Sequence, residues 1–350
     1  MKKKKHLWLW ILLAVVVVLA VVILCNRSLV WTLWCNWFGA KVHLDESTQW
    51  DGGETYLHVP YAEDSDAQYF DLYVPHTEQP APLFVLIHGG GFISGDSQTR
   101  QAQFMYRYFR DHGYACASVN YRLALEAPFP GAVCDVKAAV RYLGAHAEEY
   151  GYDTSHVAIW GESAGGYLAV MTAVSAPDTF LDVNAIGETD EEKLPQVQIQ
   201  ALVDFYGVMD FPTMSTQFEA QRIPKFVLKI ANSWFDTEAY GFDSFEEIWL
   251  NKKMSDWTDE ERANCSVNYH AALGEGENYD LCTMICHGDA DITVPWAQSA
   301  VISKVMENVY GSGRVIFQTH HGFGHAADGF YTDEHLGQVN DFIQAAFSLS

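Results

Sequence analysis

Four short stretches of this 350-residue chain hold residue types that can do chemistry together. The first is Gly161-Glu162-Ser163-Ala164-Gly165-Gly166, between the strand-like "HVAIWG" (156–161) and the helix-like "AGGYLAVMTAVSA" (164–176). A lone Gly-x-Ser-x-Gly is weak evidence, since a chain this long holds one by chance roughly one time in ten. Its setting raises its value. A sharp strand-to-helix turn forces Ser163 outward, and the helix that begins at Ala164 aims its free amides at the same place. A serine hydroxyl is a poor nucleophile alone and needs a base and an orienting acid.

For this arrangement the expected chain order is serine, acid, histidine. "CHGDADITVP" (286–295) offers Asp289 and Asp291 in a polar turn after a strand. "THHGFGHAADGF" (319–330) offers His320, His321 and His325. His325 follows Gly324 in a loop, where an imidazole can reach the serine, whereas His320 and His321 sit at a strand end and read as structural. "LIHGGGF" (86–92) is a glycine-rich loop straight after a strand. The amides of Gly90 or Gly91, with that of Ala164, could bind a developing oxyanion, each such donor being worth about 10²- to 10³-fold in rate. The expected chemistry is a two-step acyl transfer through an acyl-enzyme, for which no metal or organic cofactor is required.

The elements that must position these residues alternate along the chain. "ETYLHVPYA" (54–62), "QYFDLYVP" (68–75), "PLFVLIHGG" (82–90), "YACASVNYRL" (114–123), 156–161, "QIQALVDFYG" (198–207), "DLCTMICHGD" (280–289) and "GRVIFQTHH" (313–321) read as strands. Segments 97–113, 130–151, 164–176 and about 333–347 read as helices. Apolar strands separated by helices imply a mostly parallel sheet covered on both faces. Two stretches interrupt the rhythm. Residues 176–195 are acidic and read as a solvated surface loop. Residues 209–264 read as a mostly helical cap insert; of its aromatics (Phe226, Trp234, Phe235, Phe242, Phe245 and Trp249), most are expected in the cap's own core and one or two against the substrate.

Formal net charge is −24 at pH 7, and four of the 21 basic residues are Lys2 to Lys5. So acidic a surface repels phosphate backbones and excludes nucleic acid as an expected partner. Residues 1–6 form a basic end, followed by an uncharged apolar run, Leu7 to Leu24. Eighteen residues at ~1.5 Å each span about 27 Å, close to a bilayer's ~30 Å hydrocarbon core. The run exceeds the roughly 7 to 15 apolar residues of a cleaved signal, and "VVILCNRS" lacks an Ala-x-Ala-like site. An uncleaved transmembrane signal-anchor is therefore expected, with a juxtamembrane linker at 25–44 and the catalytic domain, 45–350, outside the cell; secretion after cleavage is the alternative. Of the seven cysteines, none forms a Cys-x-x-Cys pair or a Cys/His cluster with metal spacing, and Cys282 and Cys286 read as small hydrophobes on a buried strand.

The motifs together resemble the α/β-hydrolase fold, specifically the His-Gly-Gly-Gly esterases related to hormone-sensitive lipase and to feruloyl and acetyl xylan esterases. The resemblance covers roughly residues 54 to 348 and rests on "HGGGF", "NYRLA" (120–124), "FPGAVCDVKAAVRYL" (129–143), "YGYDTSHVAIWGESAGGYLA" (150–169), "HGDADITVP" and the late Gly-His. It implies a serine hydrolase of carboxylic esters, small-molecule or carbohydrate-linked, with Ser163, Asp291 and His325 as catalytic residues and Gly90, Gly91 and Ala164 at the oxyanion. It also assigns the acid to Asp291 rather than Asp289, and makes Arg122 and Asp135 structural supports. Two other readings share the fold: a peptidase or amidase, and a non-catalytic binding domain. The fold's prolyl-specific peptidases usually add a propeller, and nothing here has blade-like repeats. Non-catalytic relatives commonly lose the serine or histidine, and both are present here.

Overall fold

The computed structural model describes residues 50–189, 191–221 and 240–349. The expected membrane anchor (7–24), its basic end and linker, and the middle of the expected cap lie outside them. No helix among the described residues is long and apolar enough to cross a membrane.

Eight strands form one open sheet: β1 (Gly53–Pro60), β2 (Tyr69–Pro75), β3 (Ala81–Ile87), β4 (Ala115–Val119), β5 (Tyr152–Glu162), β6 (Ala201–Phe205), β7 (Cys282–Gly288) and β8 (Val315–His320). Their spatial order is β1-β2-β4-β3-β5-β6-β7-β8. The β1–β2 and β2–β4 pairs are antiparallel, and from β4 through β3 to β8 every pair is parallel. The apolar runs of the inner parallel strands are explained by burial on both faces, whereas β8, at the far edge, has one buried position. β3, β4, β6 and β7 are buried at all or nearly all positions, whereas β1, at the edge, has none fully buried.

One face of the sheet packs on α1 (Arg100–Asp111) and the C-terminal helix, Asp333–Phe347, through Phe104, Phe109, Leu336 and Ile343. The other packs on α2 (Gly131–Ala145) and α3 (Ala164–Val174). Every residue of α3 is buried, so this helix lies inside the protein.

The acidic stretch 176–195 departs from the solvated loop expected of it. Val183 and Ala185 are buried, and the Arg141 guanidinium on α2 holds the fully buried Glu188 carboxylate by two hydrogen bonds of 2.6 and 2.9 Å. Composition hid this because one paired charge suffices to carry an otherwise polar loop inward. The insert contributes α4 (Met214–Ala220), α5 (Phe245–Leu250) and α6 (Asp259–Asn264), followed by α7 (Val267–Leu273). Trp249 is fully buried and stacks on Phe92 with centroids 3.9 Å apart, beside Tyr167, Phe129 and Phe211. Phe226, Trp234 and Phe235 lie outside the described residues. α8 (Trp296–Tyr310) and α9 (Asp333–Phe347) complete the fold.

Candidate active site

Parallel strands end at one edge of a sheet, so the loops that leave them converge there. Ser163 leaves β5, the glycine loop leaves β3, Tyr206 leaves β6, Asp291 follows β7 and His325 follows β8. The turn at Ser163 is strained: its φ is +51° and its ψ −118°. Such a conformation in a non-glycine residue costs of order 1–3 kcal/mol and persists only where its surroundings over-determine it. Here the Ser163 amide donates to Phe205 O at 2.9 Å. Side chains on the flanking residues are excluded as well. A Cβ at Gly161 would lie 2.0 Å from Gly165 O, and one at Gly165 would lie 2.1 Å from Ile87 O.

The fold brings Ser163, His325 and Asp291 into one chain of hydrogen bonds. His325 Nε2 is 2.9 Å from Ser163 Oγ, and His325 Nδ1 is 2.7 Å from Asp291 Oδ2. An ionised carboxylate can only accept, so Nδ1 carries the proton and Nε2 presents its lone pair to the hydroxyl. Burial disfavours a charge on Asp291. His325, His287 and their hydrogen bonds outweigh that and hold the carboxyl well below the usual range. The amides of Thr293 and Val294 also donate to its Oδ1 at 2.8 and 2.9 Å. For His325, burial pulls the pKa down, but the Asp291 charge and hydrogen bond, with Glu162 behind them, raise it overall.

Asp289 is engaged elsewhere. Its Oδ2 lies 2.6 Å from His321 Nδ1, and its Oδ1 accepts from the Gly322 amide at 2.7 Å. These bonds pin the loop that carries His325. The loop's far end is fixed by Arg100, whose guanidinium donates to both oxygens of Asp328 at 2.7 and 3.1 Å.

In the glycine loop, Gly90 and Gly91 have φ of +119° and +61°. Among the described residues, no hydrogen bond engages the amides of Gly90, Gly91 or Ala164. His88 is fully buried behind the loop, stacked on Tyr121 at 4.3 Å, with Nδ1 2.7 Å from Gly89 O. Burial lowers its pKa to about 4, so it acts as a neutral brace. Arg122 and Asp135 form a multiply bonded pair, 2.8 Å at its closest, that ties the "NYRLA" loop to α2, with Gln68 donating to the same carboxylate at 2.7 Å.

One group was not singled out in the sequence. Glu162, beside the serine, is buried; the Tyr206 hydroxyl donates to its Oε2 at 2.5 Å, and the Tyr331 oxygen lies 3.2 Å from the same atom. The two phenol oxygens also bond each other. Its position next to Ser163 was the available signal; nothing in sequence spacing points to Tyr331.

The chain is 32% identical over 144 residues to a probable carboxylic ester hydrolase, LipM, of Mycobacterium tuberculosis (strain ATCC 25618 / H37Rv), a match covering 41% of this chain and 32% of that protein. It is 37% identical over 114 residues to the esterase LipI of the same organism, covering 31% of this chain and 34% of that protein. The chain thus spans about a third of the length of these two curated relatives. Among solved structures, a truncated carbohydrate esterase from gut microbiota superposes with a TM-score of 0.65 at 23% identity, covering 85% of this chain and 98% of that one. A bacterial heroin esterase superposes with a TM-score of 0.59 at 21% identity, covering 87% of each chain. These likenesses show the α/β-hydrolase fold. The sequence model of the BD-FAE family matches residues 70–306, about two-thirds of the protein, and the chain belongs to that family.

Proposed function

We propose that this protein is a serine hydrolase of carboxylic esters. The observation that carries the reading is the continuous hydrogen-bond chain from Ser163 through His325 to Asp291. In the first step His325 Nε2 takes the Ser163 proton as Oγ attacks the carbonyl carbon. Asp291 holds the imidazole in the needed tautomer and stabilises its cation. The amides of Gly90, Gly91 and Ala164 receive the oxyanion. His325 then gives its proton to the leaving alcohol, and the acyl group stays on Ser163. In the second step His325 activates water, the ester to Ser163 breaks, and the acid leaves.

The acidic chain disfavours strongly anionic substrates. One of the similar solved structures is a carbohydrate esterase, so neutral carbohydrate-linked esters are the first substrates to try. The N-terminal apolar run would hold the domain at a membrane, facing outward.

The test is a ladder of p-nitrophenyl esters from acetate to palmitate, assayed beside an acetylated oligosaccharide and an anilide. Turnover of esters well above the anilide, with a maximum at short acyl chains, is expected. Faster cleavage of the anilide would move the assignment to an amidase.

A further inference from the structure

A second cluster of chemically competent side chains takes no part in the hydrogen-bond chain at Ser163. Cys286 on β7, His320 at the end of β8 and His335 in α9 meet between the sheet and the C-terminal helix. The Cys286 sulfur and one nitrogen from each imidazole all lie within 4.8 Å of one another. The two rings stand at 90° with centroids 4.7 Å apart.

The hydrogen bonding of this cluster is incomplete in a specific way. His335 Nδ1 lies 2.8 Å from Phe330 O, and a carbonyl can only accept, so Nδ1 carries the proton. Nε2 of His335 is therefore left with a lone pair. That atom is buried and unpartnered, in a residue only 5% exposed. His320 Nε2 is likewise buried without a partner. Aromatic rings fill the surroundings: Phe205 at 5.4 Å from His335, and Phe323 and Phe330 at 5.0 and 5.1 Å from His320. A backbone carbonyl that fixes the tautomer of a buried imidazole is also the usual outer support of a metal-binding histidine.

We propose that Cys286, His320 and His335 bind one transition-metal ion of the zinc class. One thiolate and two imidazoles suit that class. Zn–N of ~2.0–2.1 Å and Zn–S of ~2.3 Å put neighbouring donors roughly 3.3–3.7 Å apart in a tetrahedral shell. Closing from 4.8 Å thus asks about 1 Å of side-chain rotation. Binding moves no electrons: the Cys286 thiol loses its proton to solvent as the metal–sulfur bond forms. The ion would staple β7, β8 and α9, the elements that flank the loop of His325. His320 O already accepts the amide of Phe323 in that loop and that of Asp289 in the turn after β7.

The sequence carried no Cys/His spacing of this kind because the three ligands come from separate elements, joined only by strand register and helix packing. The test needs no ester substrate, so it is independent of the hydrolase assignment. Purified full-length protein is stripped with chelator under reducing conditions and titrated with Co²⁺. The expected result is a near-ultraviolet thiolate-to-cobalt charge-transfer band with tetrahedral d–d bands, saturating at one equivalent and displaced by Zn²⁺. Cys286→Ser should abolish the charge-transfer band, Cys282→Ser should keep it, and His335→Gln should weaken Co²⁺ binding at least tenfold. A wild-type protein with no charge-transfer band overturns the proposal whether or not the variants fold. So does a band that survives unchanged in Cys286→Ser.

Discussion

The Tyr206 hydroxyl donates to Glu162 Oε2 at 2.5 Å, while the same phenol ring stands edge-on to His325 at 4.8 Å. A buried acid is thereby fixed behind the imidazole, and its charge adds to that of Asp291 in raising the His325 pKa. Catalysis needs His325 neutral, so activity should fall as pH drops through a value above that of an ordinary imidazole. Glu162→Gln removes one of the charges that favour the protonated ring. The acid limb of kcat/KM should therefore shift to lower pH, with kcat reduced severalfold. A merely structural glutamate would lower activity and leave the limb where it was, and that outcome rejects the positioning role.

Ser163→Ala leaves the base and the oxyanion donors in place but removes the attacking atom. Loss of one member of such a unit costs about 10⁶-fold in kcat. Residual turnover should be flat with pH across the His325 titration, and a fluorophosphonate probe should label the wild type alone. Wild-type turnover in the purified variant would end the assignment of Ser163.

Asp291 and Asp289 are separable by mutation. Asp291→Asn retains the size of the side chain but presents an amide to His325 Nδ1, favouring the wrong tautomer; a loss of ~10⁴-fold in kcat is expected. Asp289→Asn breaks the contact with His321 but leaves an oxygen for the Gly322 amide. Its loss should stay below about tenfold, with a lower Tm from the loosened loop. Equal losses in the two variants would contradict the division of labour.

The strand pattern was legible because buried parallel strands must be apolar throughout, and all eight strands fall within a few residues of the segments read as strands. β5 begins earlier than read, at Tyr152, because its polar first residues still pair with Ala81 and Pro82. The elbow, the glycine loop and the late Gly-His were legible because each is a local stretch with a steric demand. What stayed hidden depends on long-range packing. No spacing rule joins Phe92 to Trp249, Arg141 to Glu188, or Cys286 to His320 and His335. The acidic loop misled for the same reason, since the buried Glu188 charge is neutralised by Arg141 from a helix earlier in the chain.

Gly90 is the loop position where substitution should be most informative. Its φ of +119° is one that side chains resist, and a Cβ there would lie 1.9 Å from Ser94 O. The loop would have to open, breaking the 3.1 Å bond from the Ser94 amide to Gly90 O. Gly90→Ala should therefore displace the oxyanion donors, with a fall in kcat of about 10²- to 10³-fold. KM should change little, and Tm should fall with the lost loop contact. A fall confined to KM would mean that the loop binds the ground state and not the oxyanion.

Trp249 links the insert to that same loop, since its ring stacks on Phe92, directly after Gly91, and its carbonyl accepts from the Phe129 amide at 2.8 Å. Trp249→Ala opens a cavity in a fully buried site, which typically costs ~3–5 kcal/mol. Trp249→Phe keeps a stacking face and should recover most of that. If the stack also holds the oxyanion loop, Trp249→Ala should lower kcat even well below its reduced Tm, and Trp249→Phe should restore it. If it serves stability alone, the folded fraction of Trp249→Ala will turn over at the wild-type rate. Denaturation midpoints paired with active-site titration by a fluorophosphonate separate the two cases, because the probe counts the molecules still competent to react.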